Sequence, residues 1–256
     1  MKICAYAKVN IFLKITGHKD GYHSLISRFM LVDSLCDVIE FAPYACESFT
    51  IKGCDGIARN DNSIYKAFVA LSDYTGNLDL INFFYTHKVR VTKKIPSGAG
   101  LGGGSSDAGA FMRLANRVCH LGLNDDELAK IGSKVGADVP FFIYNYKSAN
   151  VSGFGEIVEV FNEEPLELEI MTPKIHCDTT QVYKSFKANF LNKIEPDGYK
   201  KWLYMPSKEI LQNNSSILEV NDLYKSARLL YPQLQNYAKE GWFFSGSGSS
   251  FFRVVE

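Results

Sequence analysis

The sequence predicts an α/β fold, of the α+β kind, arranged in two domains. In the first half of the chain, strand-like stretches alternate with segments of helical periodicity. In the second half, a strand-like stretch precedes a group of helices, and strands close the chain. Because the composition changes across residues 147–155, we expect an N-terminal domain of residues 1–148 and a C-terminal domain of residues 149–256.

The first predicted elements lead up to a glycine-rich run. Residues 9–15 and 31–41 are typical of strands. Residues 63–74 carry apolar side chains at helical spacing, and Gly76 follows as a stop signal. Residues 87–93 alternate polar and apolar side chains, so we expect a strand with one face toward water or a ligand.

The elements after the glycine-rich run follow from the same signals. Residues 105–121 have the pattern of an amphipathic helix. Asn124 and Glu127 have the spacing of a capping box for a second helix, which we expect to end at residue 136. The remaining expectations are strands at residues 139–144, 156–171, 242–244 and 251–255, and helices at residues 183–191, 208–211 and 222–237.

Composition excludes several classes of function. The chain has 256 residues, of which 46% are hydrophobic and 22% charged, as in ordinary globular proteins. Its 28 basic and 28 acidic residues cancel, which disfavours nucleic acid and membrane surfaces as partners. Lys8 and Asn10 interrupt the start of the chain where a signal peptide is apolar. With six scattered cysteines and no C-x-x-C pair, we expect reduced thiols and a cytoplasmic location.

The glycine-rich run is the strongest functional signal. Residues 96–106 place five glycines immediately before a predicted helix. Glycines let several backbone N–H groups face inward, and the positive end of a helix favours an anion there. A flexible linker would not need the hydroxyls of Ser105 and Ser106 or the amphipathic helix that follows. The run therefore predicts a phosphate-binding loop.

Three well-known phosphate-binding patterns fit this run poorly. The Walker pattern requires Lys-Ser or Lys-Thr after the glycines, and neither is present. Gly98, Gly100 and Gly103 match G-x-G-x-x-G, but the preceding strand alternates, whereas the first Rossmann strand is buried on both faces. The catalytic motifs of protein kinases are also missing from the sequence. A different kinase architecture remains.

The motifs resemble those of a small-molecule kinase superfamily. Residues 96–108 resemble the second motif of the superfamily named for galactokinase, homoserine kinase, mevalonate kinase and phosphomevalonate kinase, and residues 245–251 resemble its C-terminal glycine motif. The likeness extends from end to end, except that residues 193–214 match nothing in it. Within this superfamily, five segments most resemble the family that phosphorylates 4-diphosphocytidyl-2-C-methyl-D-erythritol. They are residues 7–13, 20–25, 98–106, 136–140 and 153–156.

The resemblance implies a two-domain kinase fold with the active site in the cleft between the domains. It further implies an N-terminal ATP-binding domain, a C-terminal substrate-side domain, and ATP and Mg²⁺ as cofactors. The expected partner is a small-molecule cytidine diphosphate substrate, phosphorylated on its 2-hydroxyl in non-mevalonate isoprenoid synthesis. Neither nucleic acid nor membrane is an expected partner, and the sequence leaves the oligomeric state open.

Two charged residues are the candidates for catalysis. Asp138, which precedes the apolar run of residues 139–144, resembles the family's catalytic base, although alone it could be a turn aspartate. Lys8 could snorkel to the surface from its apolar strand. The family places such a lysine beside the aspartate, where it keeps the carboxylate ionised and stabilises charge that develops in the reaction.

The candidate binding residues fall into two groups, those expected to contact ATP and those expected to contact the cytidine substrate. Asn62 could simply cap a helix, but the resemblance suggests an adenine-side contact. His23 is expected to recognise the edge of cytosine, with Tyr22 or Tyr183 as the stacking ring. Asn10 is expected to contact the substrate. The candidates for the phosphate loop are Pro96, Ser97, Gly98, Ala99, Gly100, Leu101, Gly102, Gly103, Gly104, Ser105 and Ser106, of which the two serines could also contact Mg²⁺.

Two other functions stay open from the sequence. A related kinase acting on mevalonate or homoserine would have no use for a cytosine pocket at Tyr22 and His23. A catalytically silent nucleotide-binding protein would have no need for both Lys8 and Asp138.

Overall fold

The computed structural model describes residues 1–19, 21–214 and 216–255. The chain forms two compact units, each assembled from separate stretches. The first unit contains Met1–Ala7, Asp33–Ile95 and Gly102–Asn145. The second contains Lys8–Val32, Pro96–Leu101 and the chain from Tyr146 onward. The division into domains 1–148 and 149–256 stays a prediction.

Two long paired strands, β1 (Lys2–Lys19) and β2 (Tyr22–Pro43), pass through both units. In the first unit, the end of β2 pairs antiparallel with β4 (His87–Thr92), which pairs in parallel with β3 (Ile51–Lys52). The helices of this unit are α1 (Ser63–Thr75), α2 (Leu78–Thr86), α3 (Gly103–Val118), α4 (Asp125–Gly132) and α5 (Val139–Tyr144). Their apolar faces bury a core that contains Phe41, Phe84 and Phe111, each at most 1% exposed.

In the second unit, the first part of β2 pairs antiparallel with β5 (Ser148–Ser152), and β5 pairs with β6 (Ile157–Val160). A separate antiparallel sheet has the order β7 (Leu168–Met171), β9 (Phe251–Val254), β8 (Phe243–Phe244). The helices are α6 (Thr179–Asn189), α7 (Ser207–Asn213), α8 (Ile217–Val220) and α9 (Asp222–Leu230). No helix in the described residues has the length and apolar character needed to cross a membrane.

Most local predictions are confirmed. The strands predicted at residues 9–15, 31–41 and 87–93 correspond to β1, β2 and β4, and the helix predicted at residues 63–74 to α1. The capping box of α4 is present: the Glu127 N–H donates to Asn124 Oδ1, and the Asn124 N–H donates to Glu127 Oε2, both at 2.9 Å. Side-chain caps of this type define helix starts in the sequence itself.

Four predictions need correction. The helix that begins at the capping box ends at Gly132 and not at residue 136. Residues 139–144 are a helix, α5, and not a strand, because a short apolar run does not distinguish a buried strand from a buried helix and Pro140 favours a helix start. The strand predicted at residues 156–171 is two strands, β6 and β7. The helix predicted at residues 222–237 ends at Leu230, where Pro232 begins a separate 3₁₀ helix.

A buried arginine organises part of residues 193–214, the segment in which the sequence shows no motif. Arg28 of β2 is 0% exposed. Its guanidinium donates to the carbonyls of Trp202 and Leu203 at 3.1 and 3.2 Å, and to Glu163 at 3.3 Å. Burial lowers the pKa of Arg28 to about 10, so it stays charged at neutral pH. The cation thus adds a charged donor to carbonyl groups that also accept the Met205 N–H and the Asn150 side-chain amide.

Arg28→Met should lower the free energy of unfolding by about 3–5 kcal/mol, because it removes the charged donor from Glu163 and from the carbonyls of Trp202 and Leu203. Chemical denaturation measures this change. Arg253→Met is the matched control: Arg253 pairs with Glu169 on the surface, with half of its side chain exposed, and should cost under about 1 kcal/mol. Equal losses in the two variants would contradict the role of Arg28.

Candidate active site

Two glycine-containing segments, residues 96–101 and residues 245–250, meet in the second unit. Gly100 has a φ of 73°, and a Cβ on it would overlap the carbonyl oxygen of Ser245. The Ser245 hydroxyl donates to the Gly100 carbonyl at 2.8 Å, and the Ser250 N–H donates to the Ala99 carbonyl at 3.0 Å. Glycine is needed here for both conformation and close approach. Residues 245–250, which we call the serine-rich segment, therefore fix the first part of the predicted phosphate loop.

Lys8 is buried beside this loop. It is 3% exposed, so it does not snorkel to the surface. Its Nζ donates to Asn10 Oδ1 at 2.6 Å and to the Gly100 carbonyl at 3.3 Å, and it lies 4.4 Å from the centre of the Phe29 ring. A cation next to loop carbonyls suits an anionic ligand held by the same loop.

Asn10 orients this lysine. It is 2% exposed, its Nδ2 donates to Ser27 Oγ at 2.9 Å, and its backbone N–H donates to Ser245 Oγ at 3.3 Å. The side chain and the backbone N–H of this one residue thus join β1 to β2 and to Ser245. The structure gives Asn10 a clear positioning role, and substrate contact by Asn10 stays a prediction.

In the first unit, the loop continues into α3. Ser63 at the start of α1 donates its hydroxyl to the Gly104 carbonyl at 2.6 Å, which brings the N-terminal ends of α1 and α3 together. The first N–H groups of a helix lack partners within the helix and so bind anions readily. Ser106 donates its hydroxyl to the Tyr6 carbonyl, and Asn62 caps α1 by accepting from the Ile64 N–H at 2.9 Å. Adenine and phosphate contacts by these residues stay predictions.

Asp138 stands at the N-terminus of α5, which packs closely on α3. A Cβ on Gly109 of α3 would lie 2.8 Å from the Phe142 Cβ of α5, so only glycine allows this approach. Near the start of α3, a Cβ on Gly136 would lie 3.7 Å from Ser105 Oγ. The helix that follows the glycine-rich loop thus holds the segment that carries Asp138. Among the described residues, Asp138 does not cap α5 with its carboxylate.

Sequence reasoning missed a buried ionic cluster in the first unit. Lys93 Nζ binds the carboxylates of Asp37 and Asp107, the latter at 2.8 Å. Asp37 also accepts the backbone N–H groups of Lys94 and Ile95, at the point where the chain leaves β4 for the glycine-rich loop. The only sequence signal was a charged residue at the end of an alternating strand. The two aspartates lie far from each other in the sequence, and the fold brings them together.

Burial raises the pKa of Asp107 to about 7, Asp37 repulsion adds to the rise, and Lys93 opposes it. The folded protein therefore holds a proton that the unfolded chain, with the ordinary carboxyl pKa, releases above about pH 4. The contribution of this proton to the free energy of unfolding is complete below about pH 4 and is lost as the pH rises through about 7.

Asp107→Asn should flatten this pH dependence, because an amide does not titrate. The wild type should lose about 1–3 kcal/mol more unfolding free energy than the variant between pH 5 and pH 8. Denaturation at several pH values measures it. Asp73→Asn, an exposed change on α1, is the control. The same slope in wild type and Asp107→Asn would contradict the shifted pKa.

Two of the predicted cytosine residues, His23 and Tyr183, belong to an aromatic group in the second unit. The His23 ring lies 5.2 Å from the Tyr183 ring, 6.1 Å from Phe186 and 4.9 Å from His18. Within residues 1–19, 21–214 and 216–255, nothing hydrogen-bonds the buried Nε2 of His23. Burial lowers the His23 pKa, helped by His18 and Lys187, so the imidazole is neutral at pH 7. A neutral ring with an unpaired nitrogen is suited to a polar ligand edge.

The predicted site residues fall into one group per unit. The first unit contains Asn62, Gly102–Ser106 and Asp138. The second contains Lys8, Asn10, Tyr22, His23, Pro96–Leu101 and Tyr183. Asp20, part of one family segment, lies outside the described residues.

Comparison with known proteins shows which family the chain belongs to. Residues 62–146 match the model of the GHMP kinases N terminal domain. A Sulfurovum protein named 4-diphosphocytidyl-2-C-methyl-D-erythritol kinase is 55% identical over 99% of both chains. The same name belongs to relatives in Sulfurimonas denitrificans, 49% identical over 98% of this chain and 96% of the relative, and Helicobacter acinonychis, 43% identical over 97% and 94%. The chain belongs to the 4-diphosphocytidyl-2-C-methyl-D-erythritol kinase family.

Solved structures show the same relationship. A crystal structure of 4-(cytidine 5'-diphospho)-2C-methyl-D-erythritol kinase superposes with a TM-score of 0.76 at 27% identity, covering 100% of this chain and 90% of that one. Mevalonate kinase of Methanococcus jannaschii, at 18% identity, has a TM-score of 0.61 over 100% and 90% of the two chains, which shows a shared fold. The resemblance and the predicted kinase fold are confirmed, and membership of a kinase family implies that ATP is used.

Proposed function

We propose that this kinase transfers the γ-phosphoryl group of ATP to the 2-hydroxyl of 4-diphosphocytidyl-2-C-methyl-D-erythritol, giving the 2-phosphate and ADP in non-mevalonate isoprenoid synthesis. The main support from the structure is the close packing of α5 on α3 at Gly109. The support is that α3 both follows the glycine-rich loop and packs on α5, the helix that begins after Asp138. Positioning and electrostatic stabilisation are what phosphoryl transfer requires of a protein.

In the proposed reaction, the chain's own groups divide the work. Backbone N–H groups of the loop and of the start of α3 bind the phosphates. Asp138 accepts the proton of the 2-hydroxyl as its oxygen attacks the γ-phosphorus and the bond to the ADP oxygen breaks. Lys8, charged and buried, stabilises the negative charge that develops.

Mg²⁺ belongs to the proposal as a cofactor that neutralises phosphate charge. The ion prefers oxygen ligands, and the segment near α3 offers the Ser105 hydroxyl and the Asp138 carboxylate. These groups fit the ion chemically. Ser106 suits it less, because its hydroxyl already donates to the Tyr6 carbonyl.

Cytosine recognition rests on His23. Its buried Nε2 has no partner in the described part of the chain, and pairing with the base would remove that cost. The Tyr183 ring beside it and the exposed Tyr22 ring can stack on a planar base. Mevalonate and homoserine offer neither a base edge nor a ring, so this group favours the cytidine substrate over them.

Asp138→Asn should reduce kcat by at least about 10²-fold while the Kd for ATP stays nearly unchanged, because an amide keeps the shape but accepts no proton. Steady-state kinetics and calorimetry measure the two quantities. Asp73→Asn, on an exposed face of α1, should match wild type in both. Near-normal turnover by a folded Asp138→Asn protein would reject Asp138 as the base.

His23→Ala should raise KM for the cytidine substrate about tenfold, the effect of one lost hydrogen bond, and leave KM for ATP unchanged. His87→Ala in the first unit is the control. In the wild type, CMP should compete with the cytidine substrate and not with ATP. If CMP does not compete, and mevalonate or homoserine is phosphorylated, the proposed substrate is wrong while the kinase fold stands.

A further inference from the structure

The Gly153–Glu156 segment, one of the family motifs, forms a tight turn after β5. The Glu156 carboxylate lies inside the turn and accepts the Phe154 N–H at 2.6 Å. Gly153 has a φ of 70°, and a Cβ on it would lie 2.6 Å from Glu156 Oε1. The Leu25 N–H donates to the Gly153 carbonyl at 2.9 Å, which fixes the turn to β2. The motif residues therefore build one defined backbone conformation.

This turn presents Phe154 to Tyr22. Their ring centres are 5.3 Å apart, with 44° between the ring planes. Both side chains face solvent, with Tyr22 65% and Phe154 40% exposed. A phenylalanine that stays this exposed adds little to a core, so its burial alone does not explain the motif. Its contact is with the ring that precedes His23 in the sequence.

We propose that Phe154 is a positioning residue for cytosine binding, which holds the exposed Tyr22 ring in place as a stacking wall for the base. The inference rests on the proposed function. A surface tyrosine samples several rotamers, and stacking on a base would otherwise have to restrict them. The ring pair restricts Tyr22 before the substrate arrives, and the turn built by Glu156 restricts Phe154.

The test compares CMP affinity in wild type, Phe154→Ala, Tyr22→Ala and the double variant by calorimetry, together with KM and kcat. Phe154→Ala should weaken CMP binding and raise KM for the cytidine substrate about five- to tenfold, the lower part of the range for one stacked base. KM for ATP and kcat should not change. In the Tyr22→Ala background, Phe154→Ala should have little further effect, because Phe154 acts through Tyr22.

Two further substitutions separate the ring contact from folding. Phe154→Tyr keeps the ring and should bind CMP like wild type, whereas Phe154→Leu keeps much of the apolar volume and should behave like Phe154→Ala. Tyr204→Ala, which removes another exposed aromatic ring of the second unit, should change nothing.

Three results would overturn the inference. Phe154→Ala could bind CMP as tightly as wild type, or Phe154→Leu could bind it like Phe154→Tyr. The full loss could also persist in the Tyr22→Ala background, which would mean that Phe154 acts without Tyr22. In each case the proposed function stands as long as wild type binds CMP. A wild-type enzyme that does not bind CMP overturns the proposed function and this inference together.

Discussion

The contact between α3 and α5 at Gly109 is the constraint on which the proposed catalytic geometry depends. Without a side chain at residue 109, α5 rests directly on the backbone of α3, and Phe142 fills the space that a Cβ would occupy. The start of α3 ends the glycine-rich loop, and the start of α5 carries Asp138. One helix thus supports both the N–H donors and the Asp138 segment of the proposed site, where misplacement of either by about 1 Å would slow the proposed reaction strongly.

The glycine-rich loop is held by polar anchors. Where the chain leaves β4, the buried Asp37 accepts two backbone N–H groups and binds Lys93. Further along, Ser245 binds the Gly100 carbonyl, and Lys8 does the same. Glycines alone would make a flexible segment, whose ordering would have to accompany ligand binding. The anchors order the loop in advance, so its N–H groups would need no reorganisation for the phosphate binding that we propose.

Local signals in the sequence were sufficient for much of this structure, and contacts between distant segments were not. Glycine spacing located the loop, and Asn62 and the Asn124–Glu127 pair marked helix starts that the structure contains. The prediction of a strand at residues 139–144 was wrong because six apolar residues fit a strand as well as a helix. Packing on Gly109 decides in favour of the helix. The Asp37–Lys93–Asp107 cluster was missed because its members are neighbours only after β2, β4 and α3 have assembled.

Chemistry and substrate choice rest on different elements of this fold. The loop, α3 and α5 provide groups that any phosphoryl transfer to an alcohol can use. His23, Tyr22 and Phe154 lie at the start of β2 and on the turn after β5. Mevalonate kinase has the same fold at 18% identity, so the fold by itself does not determine the acceptor. The acceptor must be selected by side chains such as these, whose replacement leaves α3 and α5 in place and can therefore change specificity without removing the means of catalysis.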